Sequence, residues 1–145
     1  MRPSMRRALL LMLVAGITSA CGDNNNSSTP TGPTTIPTVL TETFSGTLNK
    51  NSAYTHPFAV GDAGDVSVFL TVSVDAAHPD NTIPIGVSLG TWNGSSCAVV
   101  IANDNVAQGS SITGRATAAT NLCVRVYDVG FVPGSANYEL LIDHY

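Results

Sequence analysis

Charged side chains are scarce in this chain. Only 11% of its 145 residues are Asp, Glu, Lys or Arg, whereas soluble domains average roughly 25%. Aromatic residues are also few, at 6%, and no window of a dozen residues places apolar side chains at helical spacing. The sequence also lacks the H-E-x-x-H and G-x-S-x-G motifs and a glycine-rich phosphate loop. These absences argue against a helical fold and against the enzyme classes that those motifs define.

The first twenty residues have the composition of a secretory signal peptide. Residues 1–7 hold three arginines and no acid, residues 8–17 are apolar, and residues 18–20 are small. The apolar stretch would form about 15 Å of helix, which is too short for the roughly 30 Å hydrocarbon core of a bilayer. We therefore predict that residues 1–20 are a signal peptide that is removed on export.

The residues at the expected cleavage point are Thr18-Ser19-Ala20-Cys21. They resemble the lipobox of bacterial lipoproteins, although threonine stands where leucine is usual. The resemblance implies that Cys21 carries diacylglycerol and a further acyl chain such as palmitate, and so anchors the protein to a membrane. Gly22, rather than aspartate, favours the outer membrane by resemblance to the sorting rule. The alternative is ordinary cleavage after Ala20, which would leave a free thiol.

Residues 21–40 have the composition of a disordered tether. They contain three consecutive asparagines, three prolines and a run of Ser and Thr, and such a segment has too little apolar surface to fold. As a flexible coil it would span about 24 Å root mean square. A folded domain, predicted over residues 41–145, would then stand clear of the membrane.

Without residues 1–20 the chain would be strongly acidic. Its basic residues would be Lys50, Arg115 and Arg125, three against ten acidic residues, which gives a net charge of −7. A surface of that sign repels phosphates, so the sequence argues against nucleic acid as a partner.

Residues 41–145 follow a two-residue period. The clearest alternation is GDVSVFLTVSVD (64–75), which puts five apolar side chains on one face. They are Val66, Val68, Leu70, Val72 and Val74. Shorter runs are separated by turn signals, of which Asn93-Gly94 is the strongest. These runs are 41–48, 53–60, 84–92, 97–104, 110–118, 121–129 and 137–144. About eight short strands predict an all-β fold, an antiparallel β-sandwich of the jelly-roll type.

The order of short segments within this region carries a further resemblance. It runs FSGTL (44–48), HPFAV (56–60), GDVSVFLTVS (64–73), VSLGTWNGSSC (87–97) and CVRVYDVGFVPGSANYELLIDH (123–144). These segments resemble, in this order, the recurring strands of bacterial pre-peptidase C-terminal domains. The resemblance implies a non-catalytic β-jelly-roll accessory module of secreted bacterial proteins, in some cases bound to calcium or carbohydrate. Such modules normally follow an enzyme, whereas no enzyme sequence precedes this one within the 145 residues.

Two cysteines lie in the predicted domain. Cys97 opens one predicted strand and Cys123 lies in another, and with Cys21 lipidated the remaining number is even. In an exported protein this predicts a Cys97–Cys123 disulfide, which would stabilise the fold by roughly 3 kcal/mol in the chain-entropy model. The alternative is a metal site with two thiolates, but no histidine is near either cysteine in sequence.

Acidic and amide residues of the predicted turns offer a candidate calcium site. Calcium binds where several oxygen ligands converge. The candidate ligands are Asp75, Asp80, Asn81, Asp104 and Asp128. No EF-hand spacing is present, and Asp and Asn are also ordinary turn residues, so a purely structural role is the alternative.

Two aromatic residues are candidates for a binding surface, because exposed aromatic rings can stack on sugars. Trp92 precedes the Asn93-Gly94 turn, and Phe131 lies in a predicted loop. If they lay exposed on one loop edge they would favour glycan binding, and otherwise each could close an end of the sandwich. The histidines are interpreted as surface or strand-end residues rather than catalysts. They are His56, His78 and His144.

These observations together predict a lipid-anchored, non-enzymatic binding or accessory module of the bacterial cell envelope, with carbohydrate as one candidate ligand. The first alternative is a structural or interaction protein that docks on another envelope protein. A small hydrolase whose site is assembled from loops is the third possibility.

Overall fold

The computed structural model describes residues 36–145, so the predicted signal peptide, Cys21 and most of the predicted tether lie outside the described residues. This part of the chain forms eight strands and no helix, and thus no helix that could cross a membrane. The strands are β1 (Leu40–Asn49), β2 (Ala53–Val60), β3 (Gly64–Asp75), β4 (Ile85–Trp92), β5 (Cys97–Val106), β6 (Ser111–Ala116), β7 (Thr120–Tyr127) and β8 (Ser135–His144). The all-β prediction is confirmed.

The strands form two four-stranded antiparallel sheets. The first sheet has the order β1-β8-β3-β6 and the second has the order β2-β7-β4-β5. Strands β1 and β2 meet on one side of the sandwich, and β5 and β6 meet on the other. Eight strands arranged in this way make a jelly roll, as the sequence predicts.

The sandwich has two ends. The tether end, where β1 begins, carries the turns 61–63, 93–96 and 117–119. The distal end, where β1 ends, carries the connections 50–52, 76–84, 107–110 and 128–134. The chain therefore enters the domain at the end where β4 finishes with Trp92.

The hydrophobic core lies between the two sheets. On β3 the predicted alternation is confirmed for Val66, Val68 and Leu70, which are at most 2% exposed. The neighbouring strand β8 and the strands of the facing sheet contribute further aliphatic side chains, which are also almost fully buried. Examples are Val87 on β4, Val124 and Val126 on β7, and Leu140 and Ile142 on β8.

A β-bulge at Thr71 reverses the alternation in the second half of β3. The pairing with β8 skips this residue, and one extra residue turns every later side chain to the opposite face. Ser73 and Asp75 are therefore buried, while Val72 and Val74 are only partly so. The prediction that Val72 and Val74 share the core face is wrong for this reason.

Strand β5 leaves the plane of the second sheet where it passes Gly90. A Cβ atom on Gly90 would lie 2.2 Å from the carbonyl oxygen of Ala98 and 2.9 Å from the Cα of Val99. Both are backbone atoms, so they cannot turn aside as a side chain can. The β4–β5 register shifts at the same point. Glycine is therefore required at position 90.

The disulfide depends on this crossing. Cys97 on β5 is bonded to Cys123 on β7, with their Cα atoms 5.8 Å apart, although β4 lies between the two strands. Strands two positions apart in a flat sheet are separated by roughly 9.6 Å, which is too far for a disulfide. The predicted pairing is confirmed, and it is possible because the start of β5 lies over β4.

Replacing Gly90 with alanine should destabilise the domain by about 1–3 kcal/mol or more, because the added methyl group collides with backbone that the disulfide holds in place. Urea unfolding of residues 36–145 measures the change, since this segment contains all eight strands, the core and the disulfide. Gly134→Ala is the control, because a Cβ there meets nothing within 4 Å. If both variants have the same free energy of unfolding as the parent domain, β5 does not pass over β4 at position 90.

Candidate functional site

An open trough lies on the outer face of the second sheet at the tether end. Its volume is about 560 Å³. The residues that line it include no charged side chain. They are Pro57, Phe58, Ala59, Trp92, Asn93, Gly94 and Asn121. We call this feature the Trp92 trough.

Strand alternation makes the floor of the trough. Phe58 on β2 and Leu122 on β7 are buried in the core, at 6% and 7% exposed, so their neighbours Pro57, Ala59 and Asn121 face outward. Proline is tolerated at position 57 because β2 is an edge strand, where one side of the backbone needs no ladder hydrogen bond. The floor is thus built from compact side chains and one amide.

Trp92 forms a partly exposed wall of the trough. The turn that follows is fixed by Asn93, whose Oδ1 accepts N–H bonds from Ser95 (3.0 Å) and Ser96 (2.8 Å). Gly94 has a φ of 97°, a conformation that suits glycine. The predicted Asn93-Gly94 turn is confirmed. Because the turn uses the side-chain oxygen of Asn93, the exposed Asn121 is the amide best placed to meet a ligand.

Phe131 does not share this surface. It is 58% exposed but lies in the connection 128–134 at the distal end. The eight residues of β7 separate it from the tether end, a distance of roughly 25 Å. The two candidate aromatic residues therefore do not form one loop edge, and Trp92 alone belongs to the trough.

The candidate calcium ligands are not brought together into one site. Asp75 ends β3 and Asp80 and Asn81 follow it in the connection 76–84, whereas Asp104 lies on β5 and Asp128 follows β7. Among residues 36–145, no group of three or more His, Cys, Asp or Glu side chains could hold a metal ion. No three of the acidic candidates in the described residues are therefore grouped around one point, and calcium binding at these residues stays a prediction.

Asp128 instead joins two connections of the distal end. Its Oδ2 accepts the N–H of Asn51 at 2.8 Å, and its Oδ1 accepts those of Gly130 at 2.7 Å and Val132 at 3.2 Å. Burial acts to raise the pKa of Asp128, but these backbone N–H groups outweigh it and lower the pKa below the ordinary 3.8. The carboxylate therefore acts as a clamp between the connections 50–52 and 128–134.

Asp75 and Asp104 also have protein partners. The backbone N–H of Ala77, at 2.9 Å, and then the ring of His78, at 3.0 Å, lower the pKa of Asp75. Asp104 accepts a hydrogen bond from the hydroxyl of Tyr127. Burial, followed by this bond, raises the pKa of Tyr127 to about 12. These acids stabilise local structure.

The other two histidines lie on the β1–β2 side of the sandwich. His144 is the last residue of β8 but is only 1% exposed, and its Nε2 lies 2.9 Å from Oε1 of Glu42. The interpretation of His144 as a strand-end residue is confirmed, but it is not at the surface. His56 Nε2 lies 2.8 Å from the Tyr138 hydroxyl, and burial lowers the pKa of His56.

Sequence reasoning finds Trp92 but misses the floor of the trough. Pro57 and Asn121 lie on strands far from Trp92 in sequence and become its neighbours only through the order β2-β7-β4. A proline within a strand pattern is a signal for an edge strand. No local pattern links that edge to Trp92.

Comparison with known proteins supports the fold alone. No family model and no curated protein matches the chain, so the resemblance to pre-peptidase C-terminal domains stays a prediction. Among solved structures, the chain is similar to the Yersinia pseudotuberculosis-derived mitogen, with 13% identity and a TM-score of 0.50 over 76% of this chain and 88% of that one. A protein of the disulfide-linked pili of Bacillus endospore appendages has 16% identity and a TM-score of 0.37, over 74% and 88%, which is too distant for an argument.

Asp128→Asn should lower the free energy of unfolding at neutral pH by about 1–2 kcal/mol, because the neutral amide offers only one acceptor oxygen to the backbone. The folded-state pKa of Asp128 lies below 3.8, so the contribution of the carboxylate is complete above pH 3.8 and is lost as the pH falls through the folded value. The free energies of unfolding of the parent domain and of Asp128→Asn should therefore become equal at acidic pH.

Urea unfolding of residues 36–145 across a pH series tests this expectation. Asp80→Asn is the control, since Asp80 is an exposed acid of the same distal end and its replacement should have little effect at any pH. A difference between the parent and Asp128→Asn that stays constant with pH would contradict the clamp.

Proposed function

We propose that this protein is a lipid-anchored, non-enzymatic binding module of the bacterial cell envelope and that the Trp92 trough binds carbohydrate. The observation that carries the proposal is the composition of the trough: an aromatic wall, a floor of compact side chains and an exposed amide. A sugar ring has an apolar face of C–H groups and an edge of hydroxyls. The ring of tryptophan can stack on the apolar face, and the side-chain amide of asparagine can both donate hydrogen bonds to the hydroxyls and accept hydrogen bonds from them.

The placement of the titratable groups supports a non-enzymatic role. No acid, base or cysteine thiol lines the Trp92 trough. The three histidines are bonded elsewhere, to Asp75, Tyr138 and Glu42. A general base needs to reach the proton that it abstracts from a bound substrate, and none of these histidines lines the trough.

The anchor rests on the sequence before residue 36. The resemblance of residues 18–21 to a lipobox supports lipidation of Cys21, and β1 begins only at Leu40. The predicted tether, residues 21–40, would join the lipidated cysteine to the jelly roll.

Trp92→Ala should weaken carbohydrate binding by roughly ten- to a hundredfold, because it removes the stacking surface. The measurement is calorimetric titration of residues 36–145 with a panel of polysaccharides, with calcium present and with calcium chelated. Phe131→Ala is the matched control, since it removes an exposed aromatic residue at the distal end. Binding that persists unchanged in Trp92→Ala, or no binding to any member of the panel, would overturn the proposal.

Cys21→Ser should move the full-length protein from the membrane fraction to the soluble fraction of the expressing bacterium, because serine cannot form the thioether to diacylglycerol. Metabolic labelling with a palmitate analogue provides a second readout, and the label should be absent from the variant. Cys97→Ser with Cys123→Ser is the control for a general loss of cysteine and should keep both the label and the membrane association. Retention of unlabelled protein in the membrane would argue against the anchor.

A protein partner is the second candidate, and a separate observation favours it. Val99 and Val100 on edge strand β5 are 47% and 72% exposed. Val100 has no pairing partner on β4, and it borders an apolar pocket of about 90 Å³. If no polysaccharide of the panel binds, a protein partner that contacts Val99 and Val100 should be sought.

A further inference from the structure

We propose that the Trp92 trough selects uncharged polysaccharides and rejects anionic ones. This inference rests on the proposed carbohydrate binding and specifies the chemical class of ligand. It follows from where the few charges of residues 36–145 lie.

No cation is placed to receive an anion in the trough. None of the lining residues is basic, and the three Lys or Arg residues of the described chain lie outside the trough. Arg115 lies on the first sheet and bonds Asp65 at 2.8 Å, and Lys50 lies at the distal end.

Arg125 is the basic residue on the outer face of the second sheet. Its guanidinium lies 5.5 Å from the centre of the Tyr127 ring, which draws it toward the distal end. It is four residues from Asn121 along β7, or roughly 13 Å. An anionic group at Trp92 would therefore have no counter-charge in contact.

The net charge of the domain acts against an anion as well, because residues 36–145 hold nine Asp or Glu residues and three Lys or Arg residues. A carboxylate brought against Trp92 would lose hydration without gaining a partner. An uncharged sugar avoids this penalty, because its hydroxyls exchange water for the amide of Asn121.

The width of the trough suits a single chain. Trp92 on β4 and Ala59 on β2 are separated by one strand, β7, on which Asn121 pairs with Ala59, so roughly 9.6 Å lies between the backbones of the two outer strands. A sugar ring can stand between the two apolar side chains with a hydroxyl edge on Asn121. The class of ligand is thus a neutral polysaccharide chain.

The test compares each polysaccharide with its own C6-carboxylated form, so that backbone and linkage are matched and only charge differs. Calorimetric titration of residues 36–145 near 0.15 M salt, where long-range fields are screened beyond about 8 Å, should give at least about tenfold tighter binding to the neutral form. Equal or tighter binding to a carboxylated form would overturn this inference and leave carbohydrate binding intact. Binding to neither form would instead overturn the proposed function.

Asn121→Lys supplies the missing cation and should gain binding to the carboxylated form, reducing the preference at least about threefold. Thr43→Lys adds the same charge on an exposed position of β1, in the other sheet, and should leave the preference unchanged. Trp92→Ala should weaken binding to both forms. A folded Asn121→Lys domain with an unchanged preference would contradict the assignment of selectivity to the trough.

Discussion

The contact between the backbone of β5 and Gly90 is the constraint on which the second sheet depends. Because no side chain stands at position 90, β5 can lie over β4 and bring Cys97 within bonding distance of Cys123. Cys123 pairs with Gly90 on one side and with Pro57 on the other. Cys123, which carries the disulfide, therefore lies next to Pro57 of the trough floor, so a covalent bond stiffens the sheet directly beside the Trp92 trough.

The bulge at Thr71 has a comparable role at the distal end. By turning Ser73 and Asp75 inward, it gives β3 two polar side chains where the apolar alternation would have placed valines. Ser73 donates to the carbonyl of Ile83 and Asp75 accepts the N–H of Ala77. The long connection 76–84 is thus held by the strand that precedes it.

Sequence predicts the strands well because burial of one face is a local, periodic signal. This signal does not predict that the buried face of β3 changes after Thr71, because a bulge depends on which residue of β8 lies opposite. The disulfide follows from parity and compartment alone, whereas the need for Gly90 does not. The partners of Asp128 are missed for a related reason, because only the fold brings the backbone N–H group of Asn51 to its carboxylate. Trp92 is found because it adjoins a turn, and Asn121 is missed because only strand order places it there.

The chain enters the jelly roll at the end that carries the Trp92 trough. The connection 128–134, with Phe131 exposed, lies at the opposite end of the sandwich. A ligand held in the trough would therefore leave the distal connections uncovered, and the two ends of the domain could be in contact with different molecules at the same time.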